Sequence, residues 1–401
     1  MGEPAAVWQC LKSMRAHATR FDETDLPRRK NACQPVSGAR NVTPIPKPSS
    51  GDFPARPGAR QFLEVDHAEA LAVVRKQIAL LDLDLSGLTV VAGAAMGYQA
   101  VTATAAALAN ADRVVALTRV SSRHPSLAAA ADATLAFAEY AKVAERVEVT
   151  NRIESRKWQE VDLITNCPQV GPISRSLIEL LPSHAVVALM AEPWELRQGV
   201  LDFDACDEAG IKVAAPNLGH PAIDLMPEFA RLCRVLLEDA GVDQRASRFA
   251  VVCDTPCAPF LERMLAERGA RVGVFSHPVL LTDDAWEVII VAMRPSAKPP
   301  MDINSLGRIA RRTRQALLVQ FSGGIDRSAA SYFGLRVWPP KRPNRGELGL
   351  PLEILGAAPV IRRLTGGVKA AEAAYRGAEL GRDSVGFLVK AGFEMLDREH
   401  A

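Results

Sequence analysis

Residues 88–117 constrain the fold of this chain more than any other part of its sequence. The stretch begins with an apolar, β-branched run at residues 88–92, which is typical of a strand buried on both faces. Gly93 and Gly97 follow, and an alanine-rich, helix-forming run begins after them. A second apolar run occupies residues 113–117. Strand, glycine turn, helix and strand together predict a βαβ unit.

The rest of the chain continues this alternation of short apolar runs and helical patterns, which predicts doubly wound parallel sheets. The alternation comes in two series, so we expect an α/β protein with two Rossmann-like domains, at residues 61–243 and 244–345. Residues 346–401 are expected to form a helical tail that packs back on both domains, with helices at 368–380 and 384–397.

Residues 1–60 differ from the rest in composition, because a short amphipathic pattern is followed by a stretch rich in proline and polar residues. Such a stretch buries too little apolar area to offset its ordering entropy. It is therefore expected to be a partly irregular N-terminal arm. The arm either wraps the surface as a flexible leader or binds a partner, for example by clasping a dimer.

The charge balance excludes some classes of partner. The chain has 48 basic and 46 acidic residues in 401, which gives no electrostatic reason to expect nucleic acid or a membrane surface. No apolar run reaches the roughly 18–20 residues that a membrane span needs. Seven cysteines without paired spacing suggest reduced thiols in a cytoplasmic protein.

The glycine turn is the best candidate for a cofactor site. Glycines let a backbone approach a phosphate closely, and the start of the following helix offers N–H groups and a positive dipole end. Gly93, Met96 and Gly97 are the candidate residues of this turn. The alternative is a tight strand–helix turn in which small residues only allow close packing.

Arg119 follows the second apolar run, at the point where an acidic residue would bind the ribose hydroxyls of NAD. A guanidinium accompanied by the hydroxyls of Ser121 and Ser122 is suited to a phosphomonoester. If a dinucleotide binds, NADP is therefore expected rather than NAD. The alternative is an ordinary solvated basic loop.

The turn resembles the cofactor loop of the short-chain dehydrogenases/reductases, with G-x-x-x-G at residues 93–97 and Gln99 at the position of the third glycine. Residues 162–171 resemble their D-x-x-x-N-x-x-G segment and add Asn166 to the candidate cofactor residues. The catalytic Tyr-x-x-x-Lys pair of that family is missing, because Tyr140 and Lys142 are only two positions apart.

A second resemblance, to the D-isomer-specific 2-hydroxyacid dehydrogenases, covers residues 183–339. It rests on residues 204–237, which resemble the A-x-x-x-G-I-x-V strand, loop and helix that end the family's catalytic domain, and on ALLVQFSGGIDRSAAS at residues 316–331. The resemblance implies two Rossmann-like domains of the NAD(P)-binding superfamily. The chain lacks that family's glycine loop at residues 253–259, its catalytic arginine, since Ser322 stands there, and a suitably placed later histidine.

His220 is the expected acid–base residue, in a loop after the carboxyl end of a strand, where α/β folds place ligands. Asp224 is four residues on and is expected to orient the imidazole. Glu192 also follows a strand end and is a candidate acid or base. The alternative for His220 is a loop histidine that caps the next helix.

Cys253 and Cys257 form C-x-x-x-C without further metal ligands, so we expect no metal there. Small-residue packing is the favoured interpretation, with a redox pair as the alternative.

These observations favour an NAD(P)-dependent oxidoreductase that acts on a small polar metabolite in a cleft between the domains, as a homodimer. Two alternatives stay open. One is a non-redox enzyme, such as a lyase, hydrolase or transferase, on the same scaffold, with or without a bound cofactor. The other is a catalytically inactive nucleotide-binding or scaffold protein.

Overall fold

The computed structural model describes residues 65–119, 126–196, 199–245, 247–282, 284–313, 315–344, 346–381 and 383–390. The predicted arm at residues 1–60 lies outside these ranges, as do Ser121 and Ser122.

The strands follow the apolar runs of the sequence, and most of their residues are buried on both faces, as parallel strands between two helical layers must be. In chain order they are β1 (Thr89–Gly93), β2 (Arg113–Leu117), β3 (Val147–Thr150), β4 (Leu163–Thr165), β5 (Val186–Ala188), β6 (Lys212–Pro216), β7 (Arg248–Val252), β8 (Arg271–Phe275), β9 (Val288–Ala292), β10 (Leu317–Ser322), β11 (Arg336–Trp338) and β12 (Gly386–Val389).

Helices lie between and around the strands, and an aspartate or serine caps the first turn of several of them, accepting N–H bonds that the helix itself cannot satisfy. They are α1 (His67–Leu81), α2 (Val101–Leu108), α3 (Leu127–Tyr140), α4 (Arg175–Ile178), α5 (Phe203–Ala209), α6 (Met226–Asp239), α7 (Ala258–Ala266), α8 (Ile303–Arg312), α9 (Arg327–Tyr332) and α10 (Ala357–Tyr375). The caps are Asp66, Ser126, Asp202, Asp302 and Asp326.

The first sheet has the order β12-β6-β5-β4-β1-β2-β3. Strands β1–β6 are parallel and form the 3-2-1-4-5-6 order of dinucleotide-binding sheets, while β12 adds an antiparallel edge strand beside β6. The second sheet is parallel and has the order β11-β10-β9-β7-β8, which is the 2-1-3-4-5 order of flavodoxin-like sheets. The predicted fold class, two Rossmann-like doubly wound sheets, is confirmed.

The first sheet is covered on both faces. Helices α1, α2, α3 and α10 pack on one face, and α4 and α5 on the other. Helix α6 connects the two sheets and contacts α7 and β10, so one apolar core continues from the first sheet into the second. Both sheets belong to a single compact unit, Arg60–Ala401. A domain boundary at residue 243 stays a prediction.

The tail differs from the prediction in two ways. Helix α10 begins at Ala357, eleven residues before the expected start, and passes through Gly366 and Gly367. The helix expected over residues 384–397 is wrong for residues 386–389, which form β12, and residues 391–397 lie outside the described ranges. Strand β12 forms because its backbone pairs with the open edge of β6 from Val213 to Pro216. Among the described helices, none is long and apolar enough to span a bilayer.

Candidate functional site

The strand order places the candidate site at the carboxyl ends of β1 and β4. These strands are neighbours in the sheet but are followed by helices on opposite faces, so a crevice is expected where their loops separate. Gly93 is the last residue of β1, and Thr165 is the last residue of β4. The sequence therefore locates the glycine turn correctly at the point where such sheets bind ligands.

The N–H groups of the glycine turn are partly bonded within the protein. Ala94 N–H donates to Leu117 O at 2.8 Å, and Ala95 N–H donates to Thr134 Oγ1 at 3.0 Å. Gly97, with φ of 64°, then begins a single 3-10 turn, Gly97–Ala100, that leads into α2. The N–H groups of residues 94 and 95 are therefore satisfied within the protein, because β2 and α3 supply acceptors for them, whereas the helical turn begins only at Gly97.

Gly93 packs closely against the loop that follows β4. A methyl group on Gly93 would lie 2.6 Å from both Cys167 Sγ and Gln169 Oε1. Burial raises the pKa of the Cys167 thiol. Gln169 is only 4% exposed, and its Nε2 has no hydrogen-bond partner among the described residues. In this conformation the space above Gly93 is filled by the protein, and a buried amide donor lies close to it.

Arg119 reaches across the end of β1. Its guanidinium fills the place where a side chain of Gly171 would lie, and Gly171 has φ of 85°. Arg119 follows β2 and Gly171 follows β4, and β1 lies between these two strands in the sheet. The contact therefore places the positive charge of Arg119 over the crevice. Arg119 is exposed, and within the described ranges no carboxylate pairs with it. Its predicted companions, Ser121 and Ser122, lie outside those ranges.

Asn166 connects two loops at this edge of the sheet. Its Oδ1 accepts a hydrogen bond from Met190 N–H at 2.7 Å, and its own N–H donates to Ala188 O at 3.0 Å. The side-chain oxygen of Asn166 is therefore hydrogen-bonded to the loop after β5. Asn166 lies at the predicted edge of the sheet.

Glu192 is completely buried, and its carboxylate is held by hydrogen bonds inside the protein. Oε1 accepts from Leu218 N–H at 2.7 Å, and Oε2 accepts from Trp194 Nε1–H. Its backbone N–H donates to Glu195 Oε2 at 2.9 Å. Through these bonds the buried carboxylate ties the loop after β5 to the His220 loop.

His220 lies in the loop after β6 and is half-buried. Its Nδ1 accepts a hydrogen bond from Ala222 N–H at 3.2 Å, so the neutral ring carries its proton on Nε2. Asp224 is exposed and has φ of 44°, and its N–H donates to His220 O at 2.7 Å. The described contacts include no bond between the Asp224 carboxylate and the imidazole. The ring is oriented by the backbone of its own loop.

Two arginines of α10, which the sequence analysis missed, hold these loops. Arg362 donates to Asp224 O at 3.0 Å and to Glu228 Oε1 at 2.6 Å. Arg363 donates to Met190 O at 2.7 Å and pairs with Glu195 Oε1 at 2.9 Å. The adjacent arginines before Gly366-Gly367 are the only signal in the sequence, and nothing there places them against a distant sheet.

The corresponding turn of the second sheet is closed. Asp254 Oδ1 accepts from Arg294 N–H at 2.8 Å, so its carboxylate is satisfied within the protein. Cys253 and Cys257 are both buried, and burial raises the pKa of both thiols. Cys257 Sγ faces Met226 Sδ at 3.9 Å. These contacts favour packing over the redox alternative. No cluster with metal-binding composition occurs among the described residues.

Comparison with known proteins gives structural matches without sequence matches. No family model matches the chain, and no curated protein shows significant similarity. A dipicolinate synthase chain from Bacillus subtilis is 13% identical with a TM-score of 0.49, over 74% of this chain and 99% of that one. A dipicolinate synthase chain from Bacillus halodurans is 14% identical with a TM-score of 0.45, over 73% and 98%.

A glyoxylate reductase from Paecilomyes thermophila is 15% identical with a TM-score of 0.42, over 61% of this chain and 93% of that one. These likenesses concern architecture. The fold itself is established by the two strand orders. The chain is a Rossmann-like protein.

Proposed function

We propose that this protein is an NAD(P)-dependent oxidoreductase that binds its cofactor at the carboxyl ends of β1 and β4. The supporting observation is a 3-2-1-4-5-6 sheet whose glycine turn lies at the switch point, with the Arg119 guanidinium above it. The substrate is a small polar metabolite bound between the two sheets.

The residues at the switch point fit the phosphates of a dinucleotide in part. Gly93, Met96 and Gly97 supply the close backbone, and Arg119 supplies a positive charge without a carboxylate partner among the described residues. Gln169 Nε2 is a buried donor without a partner, which an anion would satisfy. Binding requires Gln169 Oε1 and Cys167 Sγ to move off Gly93, and rotation of the Gln169 amide then turns its Nε2 toward the anion.

NADP is the favoured cofactor, because residues 118–119 at the end of β2 are Thr and Arg, with no acidic residue for the ribose hydroxyls of NAD. Ser121, Ser122 and Asn166 stay candidate contacts. A homodimer in the cytoplasm stays a prediction.

His220 is the proposed acid–base residue, since its half-buried imidazole lies after the carboxyl end of β6. Bound nicotinamide would supply hydride chemistry. For His220 Nε2 to exchange a proton with the substrate oxygen, Nδ1 must release Ala222 N–H and carry the other ring proton. Glu192 positions the His220 loop through Leu218, and Asp224 positions it through its backbone. Neither carboxylate is assigned a proton transfer.

One observation favours the second candidate, a non-redox enzyme or an inactive binding protein on this scaffold. The N–H groups of residues 94 and 95 are bonded internally, and Cys167 and Gln169 fill the space above Gly93. A turn used for packing in this way needs no phosphate.

Titration of the full chain with NADPH and NADH, followed by nicotinamide fluorescence and thermal shift, distinguishes the candidates. Arg119→Ala is expected to weaken NADPH binding by about 10- to 100-fold, because charged hydrogen bonds contribute about 1.5–3 kcal/mol, and to weaken NADH binding less, because NADH lacks the 2′-phosphate. The control is Arg146→Ala, an exposed arginine at the opposite edge of the same sheet. Absence of any shift with either nucleotide at millimolar concentration would remove the oxidoreductase and leave the second candidate.

A further inference from the structure

A groove of about 700 Å³ opens beside the glycine turn, on the side away from the crevice. The beginning of α1, the 3-10 turn at Gly97 and helix α3 form its walls. Gly93, at the other end of the turn, faces the loop after β4. The groove shares Met96 and Gly97 with the proposed cofactor site but not Gly93 or Arg119, and its volume is that of a small-molecule pocket.

Aromatic rings form one wall of the groove. The His67 ring lies 5.4 Å from the Phe137 ring and 5.3 Å from the Tyr140 ring, at interplanar angles of 64° and 56°. Phe137 is buried, while Tyr140 stands at the rim with 48% of its surface exposed. A wall of this kind favours a flat ring, which packs against aromatic faces and edges over a large area.

The groove has a negative charge at one end. Asp66 is the one carboxylate among the described lining residues, and no lysine or arginine occurs among them. Asp66 Oδ1 accepts from Ala68 N–H at 2.9 Å and Glu69 N–H at 3.0 Å, which fixes the carboxylate in place. Burial, together with the charges of Glu69 and Asp66, raises the pKa of nearby Tyr98. This end therefore repels anions and attracts cations.

We propose that the groove binds a planar aromatic cation, with its ring along His67 and Tyr140 and its positive charge toward Asp66. Ring stacking and the cation's attraction to both the aromatic faces and the carboxylate act together in such a site. The negative charge of Asp66 does not suit the phosphate groups of a dinucleotide, so we expect a cation without phosphates here.

Proflavine, a fluorescent planar cation, is a suitable probe for the full chain at pH 8 and low salt. Acridine is its neutral analogue at this pH, and fluorescein is an anionic planar control. Asp66→Asn removes the charge and keeps the cap of α1, because asparagine caps helices as well as aspartate does. Ala133→Phe fills the groove from α3. Asp326→Asn, at the cap of α9 in the second sheet, is the matched control.

Proflavine is expected to bind at one saturable site, more tightly than acridine, and fluorescein is expected not to bind. Asp66→Asn should weaken proflavine by about fivefold or more and acridine much less, because only the cation loses an ionic attraction. Ala133→Phe should abolish binding, and Asp326→Asn should leave it unchanged.

Equal proflavine affinities of the wild type and Asp66→Asn would overturn the proposal, as would undiminished binding by a folded Ala133→Phe protein or the absence of saturation. If circular dichroism shows that Ala133→Phe does not fold, the Asp66→Asn comparison alone decides. Failure of the NADPH titration leaves this outcome unaffected, because Asp66, His67 and Tyr140 are not among the proposed cofactor contacts.

Discussion

Gly93 offers the sharpest test of how the glycine turn is used. A Cβ atom at this position would lie 2.6 Å from Cys167 Sγ, 2.6 Å from Gln169 Oε1 and 3.1 Å from Gln169 Cβ. Gly93 is strand backbone, outside the left-handed region, so alanine is compatible with the local conformation. The effect of Gly93→Ala is therefore steric.

The magnitude follows from two opposing contributions. Overpacking a closed interior costs about 1–3 kcal/mol. Alanine restores about 0.5–1 kcal/mol, because glycine loses more backbone freedom on folding. The net expectation is a loss of about 1–2 kcal/mol in the free energy of unfolding. Gln169 Oε1 can swing aside at the end of its side chain, so most of the loss comes from the short Cys167 side chain.

Urea unfolding of four proteins measures this coupling: the wild type, Gly93→Ala, Cys167→Ala and the double variant. Removal of Sγ should reduce the cost of Gly93→Ala to about 0.5 kcal/mol or less, which corresponds to a coupling of about 1 kcal/mol. Gly381→Ala is the control, since Gly381 is exposed, has no left-handed φ and has no atom within 4 Å of an added Cβ. An equal cost of Gly93→Ala in both backgrounds would refute the packing argument.

Two further predictions concern buried ionisable groups. Glu192→Gln is expected to lower the free energy of unfolding by about 1–3 kcal/mol. The NH₂ group of the glutamine is a donor and would face another donor, the N–H of Trp194 or of Leu218. An unchanged urea midpoint would contradict this prediction. Burial, followed by the charges of Asp202 and Asp207, raises the pKa of the Cys206 thiol from 9.0 to about 12. The contribution of the neutral thiol to the free energy of unfolding is therefore complete below pH 9, and it is lost as the pH rises toward 12. Between pH 8 and 11 the wild type should therefore lose about 2–3 kcal/mol more than Cys206→Ala, whereas parallel unfolding curves across this range would contradict the assignment.

Elements whose patterns are local could be predicted from the sequence. Strand β2 has the predicted bounds, Arg113–Leu117. The position of the glycine turn follows in the same way, because an apolar run and the glycines that end it are adjacent in the chain.

Elements that depend on distant partners could not be predicted. Gly366-Gly367 suggests an interruption, yet α10 continues through it. A Cβ on Gly367 would lie 2.5 Å from Leu189 O, so this glycine allows the helix to approach β5 closely. Strand β12 has no strand pattern that stands apart from the neighbouring helical one, and only the free edge of β6 determines its conformation.

The candidate site shows the same division. The position of the site at the carboxyl edge of the sheet can be predicted from the glycines and the strand ends in the sequence. The packing of Cys167 and Gln169 on Gly93 and the internal bonds of Glu192 are not, because both depend on how separate loops meet.

The return of the chain to the first sheet has a consequence during protein synthesis. Strands β1–β6 leave the ribosome first, but α10 and β12, which cover and extend their sheet, follow only after the second sheet, about 170 residues later. At roughly 5–20 residues per second this leaves the apolar face under α10 exposed for roughly 10–35 s. The synthesis of the second sheet starts later, but all its strands have been made before the last strand of the first sheet, β12. A nascent chain arrested before residue 357 should therefore depend on chaperones, since its half-covered sheet is open to aggregation.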